Sequence, residues 1–477
     1  MTKIQIKKPA IRVKFPKLRL KLNFLPKAIQ NVVSNKELRK RIIFTIFIIV
    51  VIRALSTVPI PGFTKDVIET TTGDSPFSTF YTLITGGRID SFSVIAIGIG
   101  PYINASIILQ LLSSVIPKLE EISKEGERGK KIINQYTRYL TLPLALVQST
   151  VIIMLLFSQL SNQGNADIND FVNNLTVMDK VVMIVSMTAG SMILMWFGEL
   201  ITERGIGNGS SVVIMIGILG SLPSLIKQDL DRMSLDFPSI QNVGDIVRSS
   251  SFLPLTTLII GFIIMIIGIV FVTEATRKLV IQYAKRVRAT GAMRSSFLPI
   301  KLNQAGVIPV IFASSLLSFP QIISSFVTGQ FDSGFGYDIA NKINGSFLSD
   351  FGSTGYLVTY FLLIIAFSYF YTFVVMKPDE VADNLKKSSG FIPGIRPGES
   401  TAKYIATILI KLTFVGSLFL ATIALIPNLF RIAFQEENLL VLSGIGGTSI
   451  LIIVGVIIDT YRQIGSYTIT SSYEKYR

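Results

Sequence analysis

The chain contains no cysteine and no histidine among its 477 residues. Without cysteine there are no disulfides, no thiolate nucleophile, no iron–sulfur cluster and no cysteine zinc site. Without histidine there is no imidazole base, no histidine metal ligand and no histidine proton relay. Charge is scarce as well, at 16% of residues, where soluble domains carry about a quarter. Gly126-Glu127-Arg128-Gly129-Lys130 has the wrong spacing for a phosphate loop. The expectation is a chain with no catalytic site, no metal and no cofactor, in which any nucleotide hydrolysis belongs to another subunit.

What the chain has in quantity is apolar sequence. Hydrophobic residues make up 49% of it and its mean hydropathy is positive. Stretches of roughly 18 to 22 apolar residues recur along the whole length, enough for a helix to cross a bilayer. The pattern predicts an all-α polytopic membrane protein with ten spans, near 42–58, 94–116, 140–159, 181–200, 208–225, 253–272, 306–327, 355–375, 405–425 and 439–458. Ten spans put both termini on one side, and most of the 45 Lys and Arg residues lie in segments on that side. Positive-inside bias then places the termini in the cytoplasm. Arg53 and Lys411 fall inside helices, near enough to their ends to snorkel to the interface.

Much of the net charge of +15 comes from residues 1–41, where Glu37 is the only acidic residue. The arm lacks the apolar core of a cleaved signal peptide. It reads either as a basic arm lying on anionic lipid or as a contact for ribosomal RNA or an acidic partner.

Two pairs of segments match each other. Gly98-Ile99-Gly100-Pro101-Tyr102-Ile103-Asn104-Ala105-Ser106 opens the second span and Gly306-Val307-Ile308-Pro309-Val310-Ile311-Phe312-Ala313-Ser314 opens the seventh. Gly205-Ile206-Gly207-Asn208-Gly209-Ser210 opens the fifth and Gly444-Ile445-Gly446-Gly447-Thr448-Ser449 the tenth. Members of each pair sit five spans apart, an odd number, so they cross the membrane in opposite directions. Two inverted five-helix halves around a central path follow, with the first half at 42–225, a connection at 226–252 and the second half at 253–458. Residues 459–477 form a C-terminal tail. On the residues alone a channel and a small-solute transporter both stay open. No Asp or Glu lies in the middle of a span, which disfavours a coupled transporter.

Before the second span, Ser75-Pro76 can start a helix that carries Phe77, Phe80, Tyr81 and Ile84 on one face and ends at Gly86-Gly87. It is too short to span. It is either an outer surface helix or a re-entrant piece that is buried in protein or lines a wet cavity.

At this point the sequence resembles the SecY family, the pore subunit of the bacterial protein-translocation channel. The resemblance runs from about residue 36 onward. It is carried by Pro59-Ile60-Pro61-Gly62, Gly100-Pro101-Tyr102-Ile103-Asn104-Ala105-Ser106-Ile107-Ile108, Lys124-Glu125-Gly126-Glu127 and Gln135-Tyr136-Thr137-Arg138-Tyr139. Ile201-Thr202-Glu203-Arg204-Gly205-Ile206-Gly207-Asn208-Gly209, Asn303-Gln304-Ala305-Gly306-Val307-Ile308-Pro309 and Ala382-Asp383-Asn384-Leu385-Lys386-Lys387 extend it. Ile395-Arg396-Pro397-Gly398-Glu399 and Gly446-Gly447-Thr448-Ser449 complete it.

The resemblance implies ten helices in two inverted halves around an hourglass pore. It implies that the short helix, mapped to residues 76–92, is a plug, and that Ile99, Ile103, Ile214, Ile311 and Ile452 form an aliphatic ring at the waist. A narrow apolar constriction dewets and opposes ions. A sixth ring position falls on Ser210, a departure from the pattern. Taken without the resemblance, these isoleucines would be ordinary core residues. A sideways gate between the second and seventh spans would include Asn104, Gln110, Asn303 and Gln304, with ordinary interhelical hydrogen bonding as the alternative. The basic loops 273–301 and 376–403 would receive the ribosome or the motor ATPase SecA. Their docking residues would be Arg277, Lys278, Lys285, Arg286, Arg288, Lys386, Lys387 and Arg396, the last bracketed by Pro393-Gly394 and Pro397-Gly398. Partners implied by the family are SecE and SecG in the membrane, signal sequences, nascent polypeptides and lipid, with the chain in the cytoplasmic membrane of a bacterium.

Overall fold

The computed structural model describes residues 36–62, 93–162, 175–232, 252–286, 293–317, 354–434 and 447–474. In chain order the elements are α1 (Lys36–Leu55), α2 (Gly100–Val115), α3 (Pro117–Lys124), α4 (Glu127–Asn162), α5 (Val177–Arg204), α6 (Gly209–Arg232) and α7 (Phe252–Glu274). There follow β1 (Thr276–Arg286), β2 (Met293–Lys301), α8 (Ile308–Leu317), α9 (Thr354–Met376), α10 (Pro378–Lys387), β3 (Gly390–Phe391), α11 (Glu399–Phe434) and α12 (Gly447–Glu474). Each of the ten expected spans has its helix, and α3 and α10 are short additions. Among the described residues, five helices are long and apolar enough to cross a membrane by length and composition, and α2 with α3 makes a sixth, bent, candidate. The chain is an integral membrane protein.

Local sequence sets the helix ends. Pro117 forces Ile116 into an extended conformation, φ −94° and ψ 113°, and α3 leaves α2 at 103°. The Asp179 carboxylate accepts the Thr176 backbone N–H at 3.0 Å, which satisfies a donor at the start of α5. Helices α4 and α11 run for 36 residues each, about 54 Å at 1.5 Å per residue, so they project well beyond a hydrocarbon core about 30 Å thick.

The two halves repeat the same contacts. Gly98 and Gly306 both have φ +66°, and each precedes a helix with a proline at its start, Pro101 in α2 and Pro309 in α8. Ala105 and Ala313, at matching positions, are fully buried. A second match, between α5 and α11, escaped the sequence reading. A Cβ on Gly190 would lie 2.1 Å from the Val94 carbonyl oxygen, and one on Gly416 would lie 2.6 Å from that of Leu302. Val94 and Leu302 each stand four residues before the paired glycines at 98 and 306. Around Gly190 and Gly416 the buried positions keep step: Met183 with Leu409, Ser191 with Ser417, and Leu194 with Leu420.

Helix α12 packs against α6, α7 and α11, and α1 packs against α5 and α12. One apolar cluster fills the second half, centred on α7, α8, α9 and α11.

The basic loop at 273–301 is a β-hairpin, a structure the all-α expectation did not contain. Leu279 pairs with Leu298 and Gln282 with Ser295. Then β3 adds to β1, with Gln282 opposite Phe391 and Tyr283 opposite Gly390, giving the order β2-β1-β3. Alternation explains the hairpin: Leu279 and Ile281 point inward while Lys278 and Val280 face out. The inner face packs with Leu385 of α10 and with Ile405, Ile408 and Leu409 of α11.

Candidate functional site

All five ring isoleucines belong to one apolar cluster. Ile99 and Ile452 are buried in it, and Ile103, Ile214 and Ile311 pack against them. Ile99 immediately precedes α2, and the others lie in α2, α6, α8 and α12, which form the two repeat-related pairs. The repeat motifs position them: in α2 the Ile103 N–H reaches the Ile99 carbonyl at 3.1 Å, and in α8 the Ile311 N–H reaches that of Val307 at 3.3 Å. Val307, the repeat equivalent of Ile99, joins the same cluster.

Ser210 adds no apolar bulk at the expected sixth ring position. Its hydroxyl donates to Asn208 Oδ1 at 2.8 Å in the first turn of α6. Apolar bulk on this helix comes instead from Val213, Ile214 and Ile216. Val213 is the repeat equivalent of Ile452.

Of the four seam residues, Asn303 makes a local bond. Its Nδ2 donates to the Gly306 carbonyl at 3.0 Å, as the Ser191 hydroxyl donates to the Gly98 carbonyl at 3.0 Å in the other half. Gln304 Nε2 donates to Met376 Sδ at 3.6 Å. Its Oε1, and that of Gln110, are buried with no hydrogen-bond partner among the described residues. Asn104 is half-buried on α2. An unpaired buried amide oxygen costs about 1–3 kcal/mol, so both oxygens are poised to accept a hydrogen bond from an incoming donor.

The expected plug residues Phe77, Phe80, Tyr81, Ile84, Gly86 and Gly87 lie outside the described residues. So does Arg288.

The two loops expected to dock a partner form a single face. The hairpin carries Arg277 and Lys278, both exposed, and Lys285 and Arg286 belong to the same strand. Lys386 and Lys387 are exposed at the end of α10. Arg396 is exposed between two turns that glycine makes possible: Gly394 has φ +82° and Gly398 has φ +102°. The Ile395 N–H closes the first turn on the Ile392 carbonyl at 3.1 Å, a proline–glycine type II arrangement. The Thr401 hydroxyl holds the Arg396 carbonyl at 2.9 Å. On nearby α3, Lys124 hydrogen-bonds Glu120 at 2.7 Å and holds its carboxyl below the usual range.

Arg53 turns toward α6. Its Nη2 donates to the Ile216 carbonyl of α6 at 2.6 Å. The guanidinium occupies the space beside Gly220, where a Cβ would sit 1.3 Å from Nη2. The missing side chain at 220 draws the arginine across the bundle, a pairing that no periodicity reveals. Lys411 is exposed. An interhelical ion pair also went unread: Arg138 Nε meets Glu199 Oε1 at 2.7 Å between α4 and α5. Arg138 stood in a quoted motif, but its partner lies 61 residues away.

A family model described as SecY matches residues 93–461. The protein translocase subunit SecY of Corynebacterium glutamicum is 42% identical over 460 residues, covering 94% of this chain and 99% of that protein. The Streptomyces coelicolor protein of the same name is 40% identical over 448 residues, covering 92% and 97%. Among solved structures, the fold matches the chain in "The structure of a protein conducting channel" with a TM-score of 0.61 and 19% identity, over 89% of this chain and 91% of that one. It also matches "Sec61 in the Canine ribosome-channel complex from the endoplasmic reticulum" with a TM-score of 0.58 and 19% identity, over the same shares. With its inverted halves, its shared isoleucine cluster and these relatives, the chain belongs to the SecY family.

Proposed function

We propose that this chain is the pore subunit of a protein translocase, a conduit through which unfolded, signal-bearing polypeptides cross the cytoplasmic membrane. The observation that carries this reading is the convergence of Ile99, Ile103, Ile214, Ile311 and Ile452 from four repeat-related helices into one cluster. Branched aliphatic side chains exclude water and ions from a narrow waist, yet they are supple enough to part around an extended chain. Apolar segments of the passing chain leave sideways into lipid, because their transfer is favourable. The chain itself performs no bond chemistry; a motor or the ribosome supplies the work.

The finer assignments belong to the same proposal. Residues 76–92 are the plug that closes the outer side. Asn104, Gln110, Asn303 and Gln304 line the seam that opens toward lipid, where two unpaired amide oxygens lower the cost of separation. The hairpin, α10 and the Arg396 turn form the cytoplasmic docking face for SecA or the ribosome, and SecE and SecG are the membrane partners. The termini face the cytoplasm. Residues 1–41, 42–225, 226–252, 253–458 and 459–477 are arm, first half, connection, second half and tail.

The test is import into vesicles containing the complex, SecA, ATP and a radiolabelled secretory precursor. Protease-protected precursor that depends on a functional signal sequence is expected. Uptake of small solutes with no effect of precursor or SecA would overturn the reading in favour of a transporter.

A further inference from the structure

The C-terminal turns of α12 continue beyond its apolar stretch with Asp459, Thr460, Tyr461, Arg462 and Gln463. Arg462 Nη2 lies 3.0 Å from the Thr273 carbonyl and 3.0 Å from Glu274 Oε1. Thr273 and Glu274 are the last two residues of α7, and β1 begins two residues after Glu274. A helix C-terminus presents unpaired carbonyls and partial negative charge, so a guanidinium there grips the base of the hairpin. The arginine is half-buried, and its Nη1 is enclosed with no hydrogen-bond partner among the described residues. Asp459 Oδ1 stands 4.0 Å away.

The next residue holds the other half of the molecule. Gln463 Oε1 accepts the Gly207 backbone N–H. Thr460 Oγ1 packs against Gly207 closely enough that a Cβ there would be 3.1 Å from it. Gly207, with φ +92°, is in the turn that starts α6. One turn of α12 therefore joins the root of the docking hairpin to the start of a ring helix. Helix α12 is continuous from Gly447 to Glu474, and Ile452 lies ten residues before Arg462, about 15 Å along the axis. Ile452 stands on the same continuous helix as Arg462, and Ile214 on the helix that the Gly207 turn opens.

We propose that Arg462 is the positioning residue through which a partner seated on the hairpin acts on the isoleucine ring. The inference rests on the reading of the hairpin as a docking face. Coupling of this kind is a free energy linking two sites, commonly worth about 5- to 150-fold. Arg462 supplies it by fixing the hairpin root to α12, while Arg277 and Lys278 on the adjoining strand meet the partner.

The test uses the full membrane complex in vesicles with three readouts: SecA affinity, SecA- and ATP-driven precursor translocation, and ion conductance opened by a synthetic signal peptide alone. Arg462→Gln is expected to lower translocation about tenfold, with SecA affinity for the resting channel and peptide-opened conductance unchanged. Arg462→Lys should recover most of the loss, and Glu274→Gln should reproduce it with the Thr273 contact kept. Normal translocation by both Arg462→Gln and Glu274→Gln would overturn the proposal. So would a parallel fall in all three readouts in both variants, which marks a purely structural role. Arg277→Glu with Lys278→Glu separates the underlying reading: unchanged SecA affinity in that variant removes the docking face itself and the proposal with it. Lost affinity there, beside normal translocation in Arg462→Gln, removes only the coupling.

Discussion

Gly98 and Gly306 share one backbone conformation, φ +66° in each, and the carbonyl of each accepts a side-chain hydrogen bond at 3.0 Å, from Ser191 and from Asn303. The two glycines stand in opposite halves, two residues ahead of the helices that bring Ile103 and Ile311 to the cluster. The left-handed conformation lets the chain turn sharply into each helix, and a Cβ there is disfavoured whatever the surrounding space.

Gly306→Ala isolates that conformational cost, because a Cβ at 306 meets nothing within 4 Å. The expected loss is about 1 kcal/mol of stability, read as a lower midpoint of thermal unfolding in detergent. Gly190→Ala isolates the opposite case: its backbone is helical, so the collision with the Val94 carbonyl is the cost, about 1–3 kcal/mol. A midpoint for Gly190→Ala at or above that of the parent would contradict the close approach.

Arg53 ties α1 to α6 through a charged hydrogen bond to the Ile216 carbonyl. Gly220→Val fills the space the guanidinium occupies. The bond should break, at a cost of about 1.5–3 kcal/mol, and Arg53→Leu in the same chain should then add little. Additive losses in the double variant would show that the two residues do not interact.

Much of this architecture is written in the sequence, for reasons that differ by element. The ten spans are legible because lipid demands long apolar runs, and the repeat is legible because Gly98 and Gly306 need a residue without Cβ. The polar turns of α4 and α11 are helical too, but hydropathy marks only their apolar portions, so both helices begin earlier than expected. The hairpin reads in sequence as a basic loop because Arg277, Lys278, Lys285 and Arg286 dominate its composition; its signal is the alternation of Leu279 and Ile281 with outward residues. The reading of the isoleucines as a pore ring comes from the family resemblance, since isoleucines at helical spacing look the same in any core; the structure shows their shared cluster. Arg53–Ile216, Arg138–Glu199 and Arg462–Glu274 join residues far apart in the chain, and nothing local encodes such pairs.

Arg396 is held outward between Gly394 and Gly398. Arg396→Glu should weaken SecA binding by roughly tenfold, the loss of one charge-assisted contact, without moving the unfolding midpoint. Wild-type affinity in a binding titration would remove Arg396 from the docking face.

Deletion of residues 76–92 should raise ion leak across vesicles containing the complex, since the proposed plug would be gone. An unchanged leak would count against that assignment and leave the isoleucine cluster as the sole barrier.

Ile311→Asn introduces a hydrogen-bonding side chain into the cluster shared with Ile99, Ile103, Ile214 and Ile452. Water should enter the waist, and precursors with defective signal sequences should be accepted more readily. A variant that rejects them as well as the parent does would deny Ile311 a gating role.

The most direct measurement is site-specific crosslinking from a photoreactive residue at position 311, in vesicles holding a precursor stalled midway by SecA and ATP. The account predicts a crosslink to the mature part of the precursor, placing a polypeptide within the isoleucine cluster. Absence of that crosslink, in vesicles where a second translocase of known activity engages the same precursor, would contradict it.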